Sequence, residues 1–260
     1  MSESTSRKPV FVAGANGFLG ASVVYALLEA GAQVTALIPP GEEPRFTTAD
    51  GRVRVVTGDA WSLASLKGRS RGHAAVLHLI GSLRQEPSRG LTYAHLNVAS
   101  LRNIARMAIG DGVPHLIFLS AASAPWLSRA YLASKREAED YLRRSGVTWT
   151  VVRAPLFYPR GRLRNPTLWL LAGLGRVPLL GWPVARYAPL PVDVAARGLA
   201  RLALDGDTRG QTVYGALLRR RGFMQRRQAQ RQPGGDDPFL PRPADPPPPL
   251  EEEPPFGWLP

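Results

Sequence analysis

Residues 10–20 of the 260-residue chain read Val10-Phe-Val-Ala-Gly14-Ala-Asn-Gly17-Phe-Leu-Gly20. An apolar, β-rich segment leads into three glycines and then into apolar residues at helical spacing. Gly14 permits a tight turn, Gly17 lets a pyrophosphate approach the backbone, and Gly20 lets the helix pack closely on the sheet. The free N–H groups and positive dipole end of that helix then face the phosphates. The dinucleotide-binding residues predicted here are Gly14, Asn16, Gly17, Phe18, Leu19 and Gly20.

The chain beyond this stretch alternates between strand-like and helical segments. Strands are predicted at residues 9–13, 33–38, 53–57, 75–80, 115–120 and 148–153, and helices at 20–30, 91–109 and 130–145. This alternation predicts an α/β fold: a Rossmann-type doubly wound parallel sheet with helices on both faces. Four regions are expected: a flexible N-terminus (1–8), a nucleotide-binding domain (9–216), its small C-terminal substrate lobe (155–216), and a disordered tail rich in proline and arginine (217–260).

Composition excludes several functions. The chain has no cysteine, which excludes a disulfide scaffold, a thiolate metal site and a cysteine nucleophile. Its four histidines have no metal-ligand spacing, so no metal is expected. The formal charge is +13, but only Lys8, Lys67 and Lys135 are lysines, and the arginines are scattered along the chain. Nucleic-acid binding therefore rests on charge alone, and we expect no nucleic-acid partner.

The start of the chain shows no secretory signal, so a cytoplasmic protein is expected. Residues 167–185 are rich in Leu, Trp and Val, but Arg176, Pro178 and Pro183 argue against a transmembrane helix. This stretch is a candidate surface for a membrane, leaving membrane association open, or for a protein partner. The apolar character of residues 160–190 fits either a hydrophobic substrate or simple core packing.

A second motif, Tyr131-Leu-Ala-Ser-Lys135, places a phenol and an ammonium four residues apart. On a helix these two positions lie on one face, about 5–6 Å apart at Cβ. A neighbouring ammonium favours the phenolate and is expected to lower the pKa of Tyr131 from its usual value. Tyr131 is therefore predicted to donate or accept a proton at a carbonyl or alcohol oxygen.

The glycine spacing G-x-x-G-x-x-G together with Y-x-x-x-K resembles the short-chain dehydrogenase/reductase superfamily, in its extended or atypical branch, over residues 9–215. Within it, Ser120-Ala-Ala-Ser, residues 129–139 and residues 152–155 resemble the NAD(P)H-binding accessory subunit of respiratory complex I. They also resemble its bacterial NAD(P)-binding, NAD-dependent epimerase/dehydratase-like relatives. Members of this group keep Y-x-x-x-K, lack a clear catalytic serine, and bind NADPH with a largely structural role.

The resemblance implies roles for further residues. In the superfamily the lysine at Lys135 also holds the nicotinamide ribose, and a serine after strand five orients the substrate oxygen. That serine position falls on Ala122 here, with Ser120 before it and Ser123 after it, and Ser123 is named as the catalytic candidate beside Tyr131 and Lys135. The further cofactor-binding residues implied are Asp59, Ala60, Leu79, Ile80, Gly81, Asn97, Ser120, Tyr131, Lys135 and Pro155.

The cofactor expected is NADP or NAD. Strand two ends at Ile38 and is followed by Pro39-Pro40, where atypical members often carry arginine, while Glu42, Glu43 and Arg45 come next. The positive charge of the chain favours the additional phosphate of NADP.

The function predicted is hydride transfer between a nicotinamide cofactor and a carbonyl or alcohol. The small-molecule substrate expected is hydrophobic or sugar-nucleotide-like. The alternative is a non-catalytic NAD(P)H-binding protein with a structural or redox-sensing role, which the alanine at the serine position favours.

Overall fold

The computed structural model describes residues 8–46, 51–159 and 188–229. Within these ranges seven strands form one sheet: β1 Pro9–Ala13, β2 Gln33–Ile38, β3 Val53–Thr57, β4 Ala75–His78, β5 Leu116–Ala121, β6 Trp149–Ala154 and β9 Gln211–Tyr214. The sheet is parallel throughout and has the strand order β3-β2-β1-β4-β5-β6-β9. The predicted Rossmann-type α/β fold is confirmed. The short strands β7 Phe157–Tyr158 and β8 Leu190–Pro191 pair separately.

Helices cover both faces of the sheet. They are α1 Phe18–Glu29, α2 Leu63–Leu66, α3 Ser100–Gly110, α4 Arg129–Arg144, α5 Val192–Asp205 and α6 Gly215–Ala229. One hydrophobic core joins the sheet to α1, α5 and α6, and the other joins it to α3 and α4. Apolar residues at helical spacing produce this arrangement, because each helix buries one stripe against the sheet.

The order of the strands reverses between β1 and β4. From β1 the chain moves outward to β2 and β3, and it then returns to place β4 on the other side of β1. In such sheets ligands bind outside the carboxyl ends of the strands at this switch point. The glycine-rich turn after β1 lies at that edge, as does the segment that follows β4.

The C-terminal part differs from the sequence-based expectation. The region 217–260 was expected to be disordered, but residues 217–229 belong to helix α6. Leu218 is fully buried, and α6 packs so closely on α5 that a Cβ on Gly222 would lie 2.1 Å from the carbonyl oxygen of Val194. The helix forms despite its many arginines because Leu218 and the small Gly222 allow it to pack closely on α5.

Other expectations fall on residues outside the described ranges. These are the N-terminus up to residue 7, the apolar stretch 167–185, and the tail from residue 230. In the part of the chain that is described, no helix combines the length and apolar character needed to cross a bilayer.

Candidate functional site

The glycine-rich turn has the geometry of a phosphate loop. Gly14 has a φ of +85°, and a Cβ there would lie 3.0 Å from the backbone nitrogen of Ile80. Gly17 is the residue before α1, in an extended conformation and without a side-chain cap. Because Gly17 has no side chain, it does not cap the first-turn N–H groups of α1, and this suits phosphate binding.

Gly20 has a closer neighbour than the sheet. A Cβ at Gly20 would lie 2.0 Å from the carbonyl oxygen of Gly14, and it would also overlap Ala15. Gly20 therefore permits close packing, as expected, but of the helix on the glycine turn and not on the sheet. Any larger residue would push the phosphate loop away from the helix.

Helix α4 carries the candidate catalytic pair. Tyr131 and Lys135 are both buried, and the Lys135 Nζ lies 5.9 Å from the centre of the Tyr131 ring. Lys135 Nζ donates a hydrogen bond to the carbonyl oxygen of Leu119 at 3.1 Å and lies 5.0 Å from the Phe118 ring centre. The spacing seen in the sequence therefore does place the phenol and the amine side by side, at the end of β5.

The segment after β4 connects this pair to the phosphate loop. Ile80 borders Gly14, while Gly81 borders the catalytic pair: a Cβ on Gly81 would lie 2.8 Å from Lys135 Nζ and 2.7 Å from Asn97 Oδ1. Asn97 is fully buried, its Nδ2 donates to Ser134 Oγ, and its Oδ1 has no hydrogen-bond partner. A buried acceptor without a partner beside a lysine marks a place where a ligand or a water molecule can bind.

Burial controls the protonation of the pair. It raises the pKa of Tyr131, with the neighbouring Tyr93 adding to the rise and Arg136 opposing it. It lowers the pKa of Lys135 to about 7, opposed by Glu139. The expectation that Lys135 would lower the pKa of Tyr131 is therefore wrong, since the pKa is raised. The cost of burying a phenolate outweighs the attraction of neighbouring cations.

The serines near the end of β5 are held by other side chains. Ser120 Oγ donates to Glu139 Oε1 at 2.6 Å and accepts from Arg136 Nη1 at 3.2 Å. Ser123 is exposed, and its Oγ accepts from Arg136 Nη2 at 3.1 Å. Among the described residues, the cleft beside Tyr131 is lined by Ser120 but not by Ser123.

Glu139 is a residue that the sequence analysis did not single out. It is fully buried and accepts hydrogen bonds from Ser120, Arg136, Arg143 and Arg153. Burial alone would raise the pKa of the Glu139 carboxyl, but the hydrogen bonds from Arg153 and Ser120 and the charges of Arg136 and Arg153 hold it below its usual value. Glu139 follows Lys135 by one helical turn, and that i+4 spacing was the signal available in the sequence.

The cleft itself is largely apolar. Lys135 is the one charged side chain among its described lining residues. Those residues are Leu79, Gly81, Leu83, Leu119, Ser120, Ala121, Leu127, Tyr131, Lys135, Ala154, Pro155, Leu156 and Phe157. Tyr93 packs edge to face on Tyr131, with ring centres 5.5 Å apart.

The opposite end of the site lies at β2 and β3. Asp59 follows β3, and its Oδ1 accepts from the backbone N–H of Trp61 at 2.8 Å, beside the fully buried Ala60. Asn16, in the phosphate loop, donates from Nδ2 to Glu42 Oε2 at 2.6 Å. The acidic turn after β3, the glycine turn after β1 and the candidate catalytic pair at the end of β5 thus lie in this order along the carboxyl edge.

His78 is a packed residue of the sheet. Burial, followed by the charge of Lys135, lowers its pKa to about 3, and its Nε2 lies 3.2 Å from Ser100 Oγ. Across the described residues there is no group of three or more His, Asp or Glu side chains arranged to hold a metal ion.

The fold and this edge define a dinucleotide-binding protein of the Rossmann type. A family model described as NAD(P)H-binding matches residues 14–164, more than half of the chain. The chain belongs to this NAD(P)H-binding family, and the resemblance found in the sequence is confirmed.

Two relatives are similar to this chain over about three quarters of its length. Ceramide reductase from Caulobacter vibrioides is 32% identical over 75% of this chain and 60% of its own length. The mitochondrial NADH dehydrogenase [ubiquinone] 1 alpha subcomplex subunit 9 from Arabidopsis thaliana is 29% identical over 77% of this chain and 52% of its own. The chain thus spans less than two thirds of these relatives.

Among solved structures, the Bordetella bronchiseptica enzyme WbmH in complex with NAD+ superposes with a TM-score of 0.57. It is 20% identical, over 80% of this chain and 74% of that one. At this identity the similarity shows the fold.

Proposed function

We propose that this protein is an NAD(P)-dependent oxidoreductase that acts on a carbonyl or alcohol group of a hydrophobic molecule. The observation that carries the proposal is the segment Leu79-Ile80-Gly81, which touches the phosphate loop at Gly14 and the catalytic pair at Lys135. A dinucleotide whose phosphates lie on the glycine turn would extend along this segment toward Tyr131. The buried Asn97 Oδ1 and the close approach at Gly81 fit such a ligand.

Tyr131 is the proton donor in this proposal. A phenol is protonated at neutral pH, and burial raises the pKa of this one further, so it can give a proton to a carbonyl oxygen as that oxygen becomes an alkoxide. The hydride for the carbonyl carbon would come from a bound reduced nicotinamide. Lys135, in its protonated form, stabilises the phenolate that Tyr131 leaves behind. Oxidation of an alcohol is the same set of transfers in reverse.

The lining of the cleft favours a hydrophobic substrate. Leucine, alanine, proline and phenylalanine side chains make up most of it, and among the described residues it offers no arginine to hold the phosphates of a sugar nucleotide. One relative is named as a reductase of ceramide, a lipid, which agrees with this character.

A test uses Tyr131→Phe with Tyr141→Phe, on the same helix, as the matched control. Oxidation of NADH or NADPH is followed with long-chain aldehydes and ketones, and with sugar nucleotides. We expect turnover with the long-chain compounds, a loss of about 100-fold or more in Tyr131→Phe, and little change in Tyr141→Phe. Dinucleotide binding should persist in both variants. Turnover that survives in Tyr131→Phe would remove Tyr131 from the mechanism.

A second candidate function is supported by the serines. The Ser120 hydroxyl is held by Glu139 and Arg136, and Ala122 occupies the position of the catalytic serine. We therefore keep as an alternative a non-catalytic protein that binds NAD(P)H for a structural or sensing role. Nucleotide that copurifies with the protein, with no turnover over the whole panel, would favour this alternative. If no nicotinamide dinucleotide binds at all, both proposals fail.

A further inference from the structure

The side chain of Asn97 is oriented by a serine of a neighbouring helix. Asn97 lies in a π-helical turn, Ala94–Ala99, which precedes α3 and packs on α4. Its Nδ2 donates a hydrogen bond to Ser134 Oγ at 3.0 Å, and Ser134 Oγ in turn donates to the carbonyl oxygen of Tyr131 at 2.8 Å. Ser134 is 7% exposed and Asn97 is fully buried, so both bonds are shielded from bulk water.

The direction of these bonds gives the amide a preferred orientation. A carbonyl oxygen only accepts hydrogen bonds, so the single hydroxyl proton of Ser134 is used on Tyr131. Ser134 Oγ therefore offers Asn97 an acceptor. A carboxamide turned end for end would either face this oxygen with its own oxygen or force Ser134 to release Tyr131, and each change costs a buried hydrogen bond. Ser134 thus fixes Nδ2 towards α4 and leaves Oδ1 on the other side of the amide.

The amide oxygen shares a small space with the amine of Lys135. Gly81 borders this space, since a Cβ there would lie 2.7 Å from Asn97 Oδ1 and 2.8 Å from Lys135 Nζ. Among the described residues, Oδ1 accepts no hydrogen bond, and Lys135 Nζ donates to the carbonyl oxygen of Leu119. An ammonium has three donors, so Lys135 keeps protons for this space. Asn97 therefore turns the negative end of its amide towards the charge of Lys135.

This orientation favours the charged form of the amine. A carbonyl dipole stabilises a nearby ammonium, whereas an N–H group would stabilise the lone pair of a neutral amine. An amide that is free to turn would present whichever end suits the protonation state, but an amide held by Ser134 presents only its oxygen. The titratable groups that act on Lys135 or lie beside it are Tyr131 and Glu139 on α4 and His78 on β4. Substitution of Ser134 leaves all three in place.

We propose that Ser134 is a positioning residue of this site, which fixes the Asn97 amide with its oxygen towards Lys135 and so keeps the ammonium form of that lysine at the cleft. Among the described residues, Ser134 does not line the cleft, so it acts through Asn97 and not on a ligand. The inference rests on the proposed function, in which protonated Lys135 stabilises the phenolate of Tyr131.

The titration of Lys135 tests the inference without any turnover. The chain has only the lysines Lys8, Lys67 and Lys135, so the full chain labelled with carbon-13 lysine gives one Cε signal for each, assigned with Lys8→Arg and Lys67→Arg. The signals are followed by NMR from about pH 5 to pH 10 without dinucleotide. In Ser134→Ala we expect the midpoint of Lys135 to fall by about one pH unit, a change of about tenfold in proton affinity. Ser134→Thr keeps the hydroxyl and should restore the midpoint.

The matched control is Ser145→Ala. The hydroxyl of Ser145 also donates to the carbonyl three residues before it, that of Leu142, but it lies at the far end of α4. This variant should leave the midpoint of Lys135 unchanged. The signals of Lys8 and Lys67 should be the same in every serine variant.

A double variant separates the effect of the amide from a general disturbance of the helix. In the Asn97→Leu background, Ser134→Ala should not move the midpoint further, because the group through which Ser134 acts is gone. An unchanged midpoint in Ser134→Ala, or an equal fall in the Asn97→Leu background, overturns the inference. If Ser134→Ala does not fold, Ser134→Cys, whose thiol is only a weak acceptor, takes its place with the same outcomes.

Failure of this inference can be distinguished from failure of the proposed function. Turnover together with an unchanged midpoint in Ser134→Ala would reject the role of Ser134 alone. Absence of turnover with every substrate, together with the expected fall, would reject the oxidoreductase and leave Ser134 as the residue that orients Asn97.

Discussion

Lys135 is held in surroundings that disfavour its charge. It is 4% exposed, it donates a hydrogen bond to the backbone carbonyl of Leu119, and burial lowers its pKa from 10.5 to about 7. Active sites often keep such groups because a lysine that titrates near neutral pH can change its charge during a reaction. A lysine in this state makes a measurable contribution to the pH dependence of stability.

We predict that Lys135→Met changes how the free energy of unfolding depends on pH. In the unfolded chain the amine keeps its proton up to about pH 10.5, whereas in the folded protein it loses the proton near pH 7. The cost of burying the ammonium is therefore fully present below pH 7 and falls as the pH rises toward 10.5. The stability advantage of Lys135→Met over the unaltered protein should shrink by about 1.4 kcal/mol per pH unit in that window.

Urea unfolding of both proteins at pH 6, 8 and 9 measures this difference, and groups common to both cancel. A difference that stays constant from pH 6 to pH 9 would show that Lys135 does not titrate in this range.

At the residue scale the sequence predicts some positions better than others. The glycines and the Tyr131–Lys135 pair follow from local spacing, because a turn and a helix face are set by near neighbours. The partners of Ser120 and Glu42 could not be predicted in this way. Glu139 is 19 positions from Ser120 and Asn16 is 26 positions from Glu42, and only the folded sheet brings them together.

At the scale of elements, the attachment of α4 to the sheet depends on the carboxylate of Glu139. Glu139 joins this helix to β5 through Ser120 and to β6 through Arg153, whose Nη2 bond measures 2.6 Å. We predict that Glu139→Gln lowers the free energy of unfolding by about 3–5 kcal/mol, because it leaves several guanidinium groups without their shared anion. Glu137→Gln, on the exposed side of the same helix, should change it by less than about 0.5 kcal/mol. Chemical denaturation of both variants provides the measurement, and equal effects would refute the role of Glu139.

The contact between α5 and α6 depends on glycine at both helices. A Cβ on Gly198 would lie 2.6 Å from the carbonyl oxygen of Leu218, and one on Gly222 would lie 2.1 Å from that of Val194. We predict that Gly222→Ala lowers the free energy of unfolding by about 1–3 kcal/mol, the usual cost of overpacking.

The control for Gly222→Ala is Gly110→Ala, in α3, where a Cβ would meet nothing within 4 Å. Alanine favours helix over glycine by about 1 kcal/mol, so this variant should be unchanged or stabilised. Thermal unfolding distinguishes the two signs, and stabilisation by both alanines would contradict the close packing of α6.

Element prediction succeeded where apolar periodicity was strong. The predicted limits of β1, β2 and β3 match the structure, and for β1 and β2 the reason is that buried parallel strands are nearly continuous apolar runs. The helix expected at 91–109 contains a π-helical turn, Ala94–Ala99, which a 3.6-residue period does not reveal and which carries Asn97. Helix α6 was not predicted, because its sequence is rich in arginine, prolines follow it, and few of its residues are apolar and buried.

For the molecule as a whole, buried histidines predict sensitivity to acid. Burial lowers the pKa of His78 from 6.5 to about 3 and that of His115 to about 4. The unfolded chain takes up these protons near pH 6.5 while the folded protein does not, so stability falls as the pH decreases below 6.5. We predict that His115→Gln removes about 1.4 kcal/mol per pH unit from this slope between pH 6 and 4.5. Urea unfolding across this range tests it, and an unchanged slope would contradict the assignment.

The pairing of β6 with β9 has a consequence for synthesis on the ribosome. Thr150 pairs with Gln211, so about 60 further residues must be synthesised before β6 meets its partner strand, which takes roughly 3–12 s at ordinary translation rates. During that interval a buried strand with unpaired backbone groups is open to another nascent chain. Pairing with β9 closes this edge, so the time before β9 emerges is the interval in which the edge of β6 is open to aggregation.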